Sequence, residues 1–211
     1  MIEFFITYLG GFMEDRSIKK YLEELSSPSP TPGGGSVGNL LLSFSASLTA
    51  MVCGLTKGLE NYIDDLKDLK DKFLNLSYED EESFNSVMEA YKLPKNSDEE
   101  KNIRKQKIEE ALKGATLIPL QSIRLSKEII PFLNILIEKG NKNAISDIGV
   151  SILNLKSGVL SCYLNVIINL KSIKDKNFVD SVKNEADEIK NYIENWCDNS
   201  FEKVVNGIIR E

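Results

Sequence analysis

The chain has 211 residues, of which 42% are hydrophobic and 27% charged, a composition typical of a globular protein with room for a sizeable core. Its net charge of −6 argues against nucleic acid as a partner, because phosphate binding favours a basic surface. The sequence has no histidine, which excludes Ser-His-Asp catalysis, imidazole proton transfer and imidazole-based metal sites. Its three cysteines, Cys53, Cys162 and Cys197, are too widely spaced for a disulfide framework and indicate reduced thiols in a cytoplasmic protein.

The N-terminal residues 1–12, MIEFFITYLGGF, are apolar but short. Glu3 stands where a secretory signal would carry a basic residue, so we expect no signal peptide. We predict that residues 1–12 are an extension and that residues 13–211 form a single helical domain. Its first helix is predicted over about residues 15–25.

A proline- and glycine-rich loop over residues 26–35, SSPSPTPGGG, precedes an uncharged run from Val37 to Thr56. The glycines allow backbone N–H groups to reach a ligand at the start of the next helix, where the partial positive charge favours an anion. A plain tight turn would explain the same triplet. The run is long enough to span a bilayer, but its Ser, Thr and Asn residues favour a fully buried core helix, and we expect no membrane span.

Small residues recur at every fourth position of this uncharged run, at Ala46, Ala50, Gly54 and Gly58. This spacing places them on one face of a helix. It predicts the close approach of another helix backbone, and the alternative is space for a flat ligand.

The charge-rich stretch over residues 64–91 has apolar residues at helical spacing, and Pro94 ends it. Ser97 and Glu100 have the spacing of a capping box, which predicts the start of the next helix.

That next helix is predicted over about residues 98–139, with kinks at Pro119 and Pro131. Gly140 or Asn141 is expected to end it in a left-handed cap.

A second long apolar helix is predicted over residues 148–170, with Ser146 or Asp147 as its N-cap. Polar residues recur at every fourth position along it, at Ser157, Ser161, Asn165 and Asn169. Buried hydroxyl and amide groups need hydrogen-bond partners, which are either groups on a neighbouring helix or a ligand. An amphipathic helix over about residues 178–208 closes the chain, and no strand pattern is found.

These elements predict an all-α, multi-helical bundle with two long buried helices. A bundle of about six helices can cover one almost uncharged helix but has little chain left to cover a second. We therefore predict an obligate homodimer, with the small-residue row in the interface and the functional sites at or near it.

Three segments in order resemble the cyclodeaminase/cyclohydrolase family of tetrahydrofolate one-carbon enzymes. They are SPSPTPGGGSVGNL followed by LTKGLENY, then DEESFNSVMEAYKLPKNSDEEKNIR, then GNKNAISDIGVSILNLKSGVLSCYLNVIINL, and together they cover about residues 17–200. The resemblance implies an all-α dimer, a folate substrate and no metal or redox cofactor. It also implies that the chain is a 5,10-methenyltetrahydrofolate cyclohydrolase or a formimidoyltetrahydrofolate cyclodeaminase.

We favour the cyclohydrolase, because no formiminotransferase domain is fused to supply a formimidoyl substrate. A non-catalytic helical dimer of the same fold is a further alternative. It is suggested by Leu59 and Glu60, which follow Gly58 where the family has basic residues. Tyr78 likewise stands two positions before Asp80, where the family has an acidic residue.

The resemblance assigns site residues motif by motif. The first segment, with the glycine loop, contributes Gly33, Gly34, Gly35 and Ser36. The second, acidic-aromatic segment contributes Asp80, Glu82 and Phe84. The third segment contributes Asn141, Ser146, Asp147, Asn165 and Asn169.

Both reactions act on the carbon that bridges N5 and N10 of tetrahydrofolate. In hydrolysis, a carboxylate of Asp80 or Asp147 is predicted to stabilise the cationic carbon and to position or deprotonate the attacking water. In cyclodeamination, Lys57 or a protonated carboxyl group is predicted to protonate the departing ammonia. The polar row on the late helix is predicted to bind the pterin edge through Ser161, Asn165 and Asn169.

Overall fold

A computed structural model describes residues 16–209, and every regular element in that range is helical, which confirms the all-α prediction. The α-helices are α1 (Ile18–Leu25), α2 (Gly34–Gly54), α3 (Ile63–Lys92), α4 (Asp98–Ser126), α5 (Ile130–Lys139), α6 (Ile145–Leu170) and α7 (Lys176–Ile209). The extension predicted over residues 1–12 lies outside the described residues.

Four helices form a closed ring around the main core. Helix α2 packs against α3 on one side and α6 on the other, and α4 completes the ring by contacting both α3 and α6. Helix α7 covers α6 from outside. Leu42, Phe73, Leu120 and Ile152 contribute one fully buried side chain from each helix of the ring, so burial of these apolar faces holds the four together.

Helices α2 and α6 are antiparallel and approach most closely at two glycines. A Cβ atom on Gly38 would lie 2.9 Å from Cys162 Sγ, and one on Gly158 would lie 2.7 Å from Leu42 Cγ. Side chains at either position would push the helices apart, so both glycines are needed for this packing.

The small-residue row does not have its predicted role. Ala46 and Ala50 are buried in the core of the chain itself, and Gly54 is exposed at the end of α2. Gly58 lies beyond the helix in a turn with φ of 88°, a left-handed conformation that favours glycine. The prediction that these four residues form one interface row is therefore wrong, because the helix ends before the row does.

Hydroxyl groups in the two apolar helices hydrogen-bond to one another. Ser45 Oγ donates to the Ser151 carbonyl oxygen at 2.9 Å, and Ser151 Oγ donates to the Ser45 carbonyl oxygen at 2.8 Å. Thr49 Oγ1 lies 2.8 Å from Ser151 Oγ. These bonds satisfy the buried polar groups between α2 and α6 without charged residues.

Each apolar helix nevertheless exposes part of its surface, so the prediction that they are buried all round is wrong for the single chain. Phe44 of α2 is 50% exposed, and Leu164 and Ile168 of α6 are 66% and 60% exposed. We call this surface the apolar strip; it also includes Met51, Leu55, Val150 and Leu153, which are all exposed.

Among the described residues, two helical segments, Gly34–Gly54 and Lys142–Leu170, are long and apolar enough to cross a membrane. Their most apolar windows are 56% and 39% buried inside the protein. The 56% burial of Gly34–Gly54 is compatible with a core helix, because a core helix can be as long and as apolar as a membrane span.

The structure confirms one predicted helix start and divides one predicted helix in two. The capping box at Ser97 and Glu100 is confirmed, with both reciprocal hydrogen bonds present. The predicted long helix divides at residues 127–129, just before Pro131, whereas Pro119 lies inside α4. A proline near the start of α5 needs no N–H partner, which explains where the new helix begins.

Two predicted caps are wrong. Gly140 has φ of −63° and ψ of 158°, an extended rather than a left-handed conformation. Helix α6 starts at Ile145, before Ser146 and Asp147, and Asn141 caps the preceding short turn by accepting from the Asn143 N–H. The chain thus uses the earlier Asn141, and Ser146 and Asp147 lie in the first turn of α6.

Candidate functional site

The glycine loop leads directly into the first turn of α2, where Asp80 of α3 meets it. Gly33 is the N-cap of α2 and Gly34 its first residue. A Cβ atom on Gly35 would lie 2.2 Å and 2.4 Å from the two carboxylate oxygens of Asp80, so only glycine permits this approach. The predicted anion position at the start of α2 is therefore occupied, at least in part, by a carboxylate of the protein itself.

The environment of Asp80 raises the pKa of its carboxyl group toward neutral pH. Burial is the main cause that raises the pKa of Asp80 to about 6, and the negative charge of Glu81 raises it further. A hydrogen bond from the Ser36 backbone acts in the opposite direction. A carboxyl group with such a pKa can accept and release a proton near neutral pH, as general acid–base catalysis requires.

Ser36 is not at the ligand-facing surface that the sequence suggested. Its side chain is fully buried, and its hydroxyl lies 3.0 Å from Tyr21 Oη and 2.7 Å from Ser77 Oγ. It also donates to Glu81 Oε1 at 3.0 Å. Ser36 therefore links α1, α2 and α3 inside the protein.

Sequence reasoning missed Glu81, Tyr21 and Arg16. The side chains of Arg16 and Glu81 are each only 13% exposed, and they pair at 3.0 Å. The run Glu79–Glu82 contains four consecutive acidic residues, so composition alone could not show that Glu81 faces inward beside Asp80. The signal that could have helped is Ser77, a small polar residue on the buried face one turn earlier.

Two residues of the predicted polar row on α6 lie near this place. Asn165 Nδ2 is 3.4 Å from the position of a Cβ on Gly34, and Ser161 Cβ is 3.0 Å from that of a Cβ on Gly38. Both side chains are half-buried and donate to carbonyl oxygens of their own helix. The structure thus brings Gly34, Gly35, Asp80, Ser161 and Asn165 together at one end of the α2–α6 pair.

The rest of the polar row does not form a buried stripe as predicted. Ser157 is exposed, and Asn169 donates to the Ala115 carbonyl oxygen of α4 at 3.0 Å. Glu82 is exposed on α3, while Phe84 is half-buried. Helical geometry explains the difference, since a spacing of four drifts around a helix with 3.6 residues per turn.

The remaining predicted residues lie at the opposite end of α2 and α6. Asn141 donates through its backbone to Thr56 Oγ1 at 3.0 Å and through its side chain to the Leu55 carbonyl oxygen at 2.9 Å. Lys57 and Ser146 are exposed, and Asp147 is half-buried.

Eighteen residues of α6 separate Asp147 from Asn165, a distance of about 27 Å along the helix. Within one chain, Asp147 and Lys57 therefore cannot act on a reacting atom that is held at Asp80.

One buried polar atom next to the Asp80 group has no partner among the described residues. Asn39 is fully buried one turn after Gly35, and its Nδ2 donates to the Gly35 carbonyl oxygen at 3.2 Å. Its Oδ1 accepts no hydrogen bond from the described part of the chain. In the same part of the chain, no cluster of three or more His, Cys, Asp or Glu side chains could hold a metal ion.

The fold and the site define an all-helical protein with a carboxylate held at a glycine-lined helix N-terminus. The family model described as formiminotransferase-cyclodeaminase matches residues 17–188. The chain belongs to this family, as the sequence resemblance predicted.

Individual relatives give the same picture. The chain is 42% identical over 176 residues to a methenyltetrahydrofolate cyclohydrolase of Methylorubrum extorquens, covering 79% of this chain and 85% of that protein. It is 32% identical over 174 residues to the formimidoyltransferase-cyclodeaminase of Mus musculus, of which it covers 32%.

The fold is similar to a crystal structure of formiminotetrahydrofolate cyclodeaminase from Thermotoga maritima. The TM-score is 0.81 at 30% identity, covering 93% of this chain and 98% of that one.

Proposed function

We propose that this protein is a tetrahydrofolate one-carbon enzyme that hydrolyses 5,10-methenyltetrahydrofolate to the 10-formyl derivative. The observation that carries the proposal is the 42% identity to a methenyltetrahydrofolate cyclohydrolase, which extends over 85% of that relative. The contact between Asp80 and Gly35 supports it, because the reaction needs a carboxylate beside a cationic carbon.

Asp80 supplies the acid–base chemistry in this proposal. Its charged form stabilises the cationic methenyl carbon and accepts a proton from water as the water oxygen bonds to that carbon. The protonated carboxyl group then returns the proton to N5 as the bond between carbon and N5 breaks. The formyl group stays on N10, and one proton is released overall. A pKa of about 6 lets one carboxyl group perform both transfers.

The second candidate is formimidoyltetrahydrofolate cyclodeaminase, favoured by the fold similarity to the Thermotoga maritima enzyme. In that direction N10 attacks the formimidoyl carbon and the amino group must leave protonated. The protonated form of Asp80 would supply that proton at the same site.

We further propose that the protein is a homodimer and that a second copy covers the apolar strip. Seven large apolar side chains of the strip are at least 42% exposed, on two adjacent helices that carry almost no charge. Large apolar side chains exposed in such number on adjacent helices are typical of an interface. Because the strip runs along both helices, a self-complementary two-fold contact can cover it in both copies.

This dimer offers a role for Asp147 and Lys57. If the two-fold axis is perpendicular to α2 and α6, the α2–α6 pairs of the two copies run in opposite directions. The end of the α2–α6 pair near Asp80 in one copy then meets the other end of the α2–α6 pair in the partner. Asp147 and Lys57 of one copy would then approach the Asp80 group of the other. Each folate site is thus proposed to be built from two chains.

The remaining proposals follow from composition and are independent of the site. The protein is proposed to be cytoplasmic and to need no metal or redox cofactor, with no nucleic acid or membrane as partner. The net charge of −6, the absence of histidine and the three buried free cysteines support them.

A paired absorbance assay tests the function. Methenyltetrahydrofolate should lose its absorbance faster with wild-type protein than in buffer, and Asp80→Asn should remove the acceleration. The same protein is then given formimidoyltetrahydrofolate and watched for the appearance of the methenyl product. Activity with the second substrate alone would make it a cyclodeaminase, and activity with neither would reject both proposals.

A further inference from the structure

A continuous chain of polar contacts joins Arg16, just before helix α1, to the candidate carboxylate. Arg16 Nη1 donates to Glu81 Oε1 at 3.0 Å and to Glu81 Oε2 at 3.2 Å. Glu81 Oε1 accepts from Ser36 Oγ at 3.0 Å, and the Ser36 backbone hydrogen-bonds to Asp80. Two helices, α2 and α3, and the segment just before α1 therefore contribute to the surroundings of one carboxyl group.

The charged groups in these contacts are shielded from solvent, so their electrostatic effect on Asp80 is only weakly screened. Ser36 is fully buried, and the side chains of Arg16 and Glu81 are only 13% exposed. Charges in such places are screened less by water and salt than charges on the surface. Glu81 follows Asp80 directly in α3, so an unneutralised Glu81 would strongly oppose ionisation of Asp80.

We propose that Arg16, Glu81 and Ser36 are positioning residues for Asp80, with Arg16, which lies just before α1, supplying the cation that offsets the negative charge beside the reacting carboxylate. The inference rests on the proposed function for its link to catalysis. It assigns a role in the chemistry to Arg16, although this residue does not touch the reacting atoms.

Arg16 is held in place for this role by α1 itself. It pairs with Glu24 at the other end of the helix, and its guanidinium lies 4.9 Å from the centroid of the Tyr21 ring. Tyr21 in turn reaches Ser36. Helix α1 thus holds the Arg16 guanidinium through Glu24 and Tyr21, and it holds the Ser36 hydroxyl through Tyr21.

The other groups that face Asp80 do not replace Arg16. From α1, the Tyr21 hydroxyl has its pKa raised mainly by burial, so it is neutral at physiological pH. From α6, burial raises the pKa of Cys162 to about 12, so it remains a thiol. From α2, the Ser36 backbone contributes a dipole but no net charge. Among these groups Glu81 bears the charge next to Asp80, and Arg16 balances it.

The two charges predict opposite effects on the pH dependence of catalysis. Glu81→Gln keeps an oxygen that can accept from Ser36 but removes the negative charge, so Asp80 should ionise at lower pH. Arg16→Gln leaves Glu81 uncompensated, so Asp80 should ionise at higher pH. We expect the acid limb of the kcat/KM profile to move by about half a pH unit or more in each direction.

The control is Arg124→Gln, which breaks an Arg–Glu pair of two hydrogen bonds with Glu185, between α4 and α7, that is more exposed than the Arg16 pair. Loss of that pair should leave the acid limb where it is. Shifts in the same direction for Arg16→Gln and Glu81→Gln, or an equal shift for Arg124→Gln, would overturn the proposal, because a purely structural effect has no reason to depend on the sign of the charge.

A direct titration separates this inference from the proposed function. Carbon-13 carboxyl resonances of aspartate-labelled protein are followed with pH in the four proteins, with Asp80→Asn to assign the signal. Opposite shifts of the Asp80 midpoint in a protein without activity would support the inference and reject the function. An unchanged Asp80 midpoint in both variants would reject the inference even if the enzyme is active.

Discussion

Gly35 and Asp80 form a contact in which no side chain fits between the helix backbone and the carboxylate. The hypothetical Cβ of Gly35 would lie 2.2 Å from Asp80 Oδ1 and 2.5 Å from its carboxyl carbon. The carboxylate is thereby held against the first turn of α2, where backbone N–H groups lack partners within the helix. The glycine loop and the acidic segment around Asp80 are far apart in sequence, but they meet in the candidate site.

Gly35→Ala should displace Asp80 and lower kcat/KM by about 100-fold, since misplacement of about 1 Å has effects of this size. Gly114→Ala is the matched control, because Gly114 also lies in a helix and a Cβ there meets nothing within 4 Å. The control should keep full activity and gain about 0.5–1 kcal/mol in stability. Steady-state kinetics and thermal unfolding of both variants decide it, and a fully active Gly35→Ala enzyme would contradict the contact.

Asp80→Asn should abolish activity yet stabilise the fold at alkaline pH. Below about pH 3 the carboxyl group is protonated in both folded and unfolded chains, so its charge has no effect. As pH rises, the unfolded chain loses the proton first, because the pKa of Asp80 in the folded protein is raised to about 6. Stability is therefore lost between about pH 4 and 6, and the deficit is complete above that range.

We expect the variant to exceed wild type by about 1–2 kcal/mol at pH 8 and to match it at about pH 3. Urea unfolding at the two pH values measures the difference. A variant that is less stable than wild type at pH 8 would mean that the charged carboxylate contributes to the fold.

Leu164→Glu should dissociate the proposed dimer, because a charge would be buried in an apolar interface. Leu117→Glu on α4 is the control, since Leu117 is also exposed, at 41%, but lies outside the apolar strip. Sedimentation at low micromolar concentration should give a dimer for wild type and control and a monomer for Leu164→Glu. A wild-type monomer would reject the interface.

Mixing Asp80→Asn and Asp147→Asn subunits tests whether each site uses two chains. Each pure variant should be inactive, whereas a mixed dimer would contain one intact site and one site with both changes. Random exchange makes half of the dimers mixed, so about a quarter of wild-type activity should return. No recovery after verified subunit exchange would reject the two-chain site, and an active pure Asp147→Asn enzyme would show that Asp147 is dispensable.

Activity should survive exhaustive dialysis against EDTA. The sequence contains no histidine, and the described helices hold no cluster of side chains suited to a metal ion. The measurement is the methenyl absorbance assay before and after chelation. A dialysed enzyme that regains activity only with a divalent ion would show that carboxylates bind an essential metal.

Local sequence signals predicted the helices well because they depend on neighbouring residues. The capping box at Ser97 and Glu100 and the apolar spacing in residues 64–91 are properties of short segments, and the structure has the corresponding helix start and helix. The cap of α6 was mispredicted because Asn141, Ser146 and Asp147 are all good cap residues. Asn141 instead caps the short turn before α6, where Thr56 and Leu55, just beyond the end of α2, hold it through contacts distant in sequence.

The sequence by itself determined the all-helical class, the family and the chemical possibilities left by the absence of histidine. The tertiary structure decided which acidic residue in the run Glu79–Glu82 meets the glycine loop, and that Asp147 lies at the far end of the bundle. Composition and motifs list the groups that are present, but not the direction in which a helix faces or the distance between its ends. Asp80 has its raised pKa because packing buries it beside Glu81 and against Gly35, and such burial exists only once α2 and α3 are in contact.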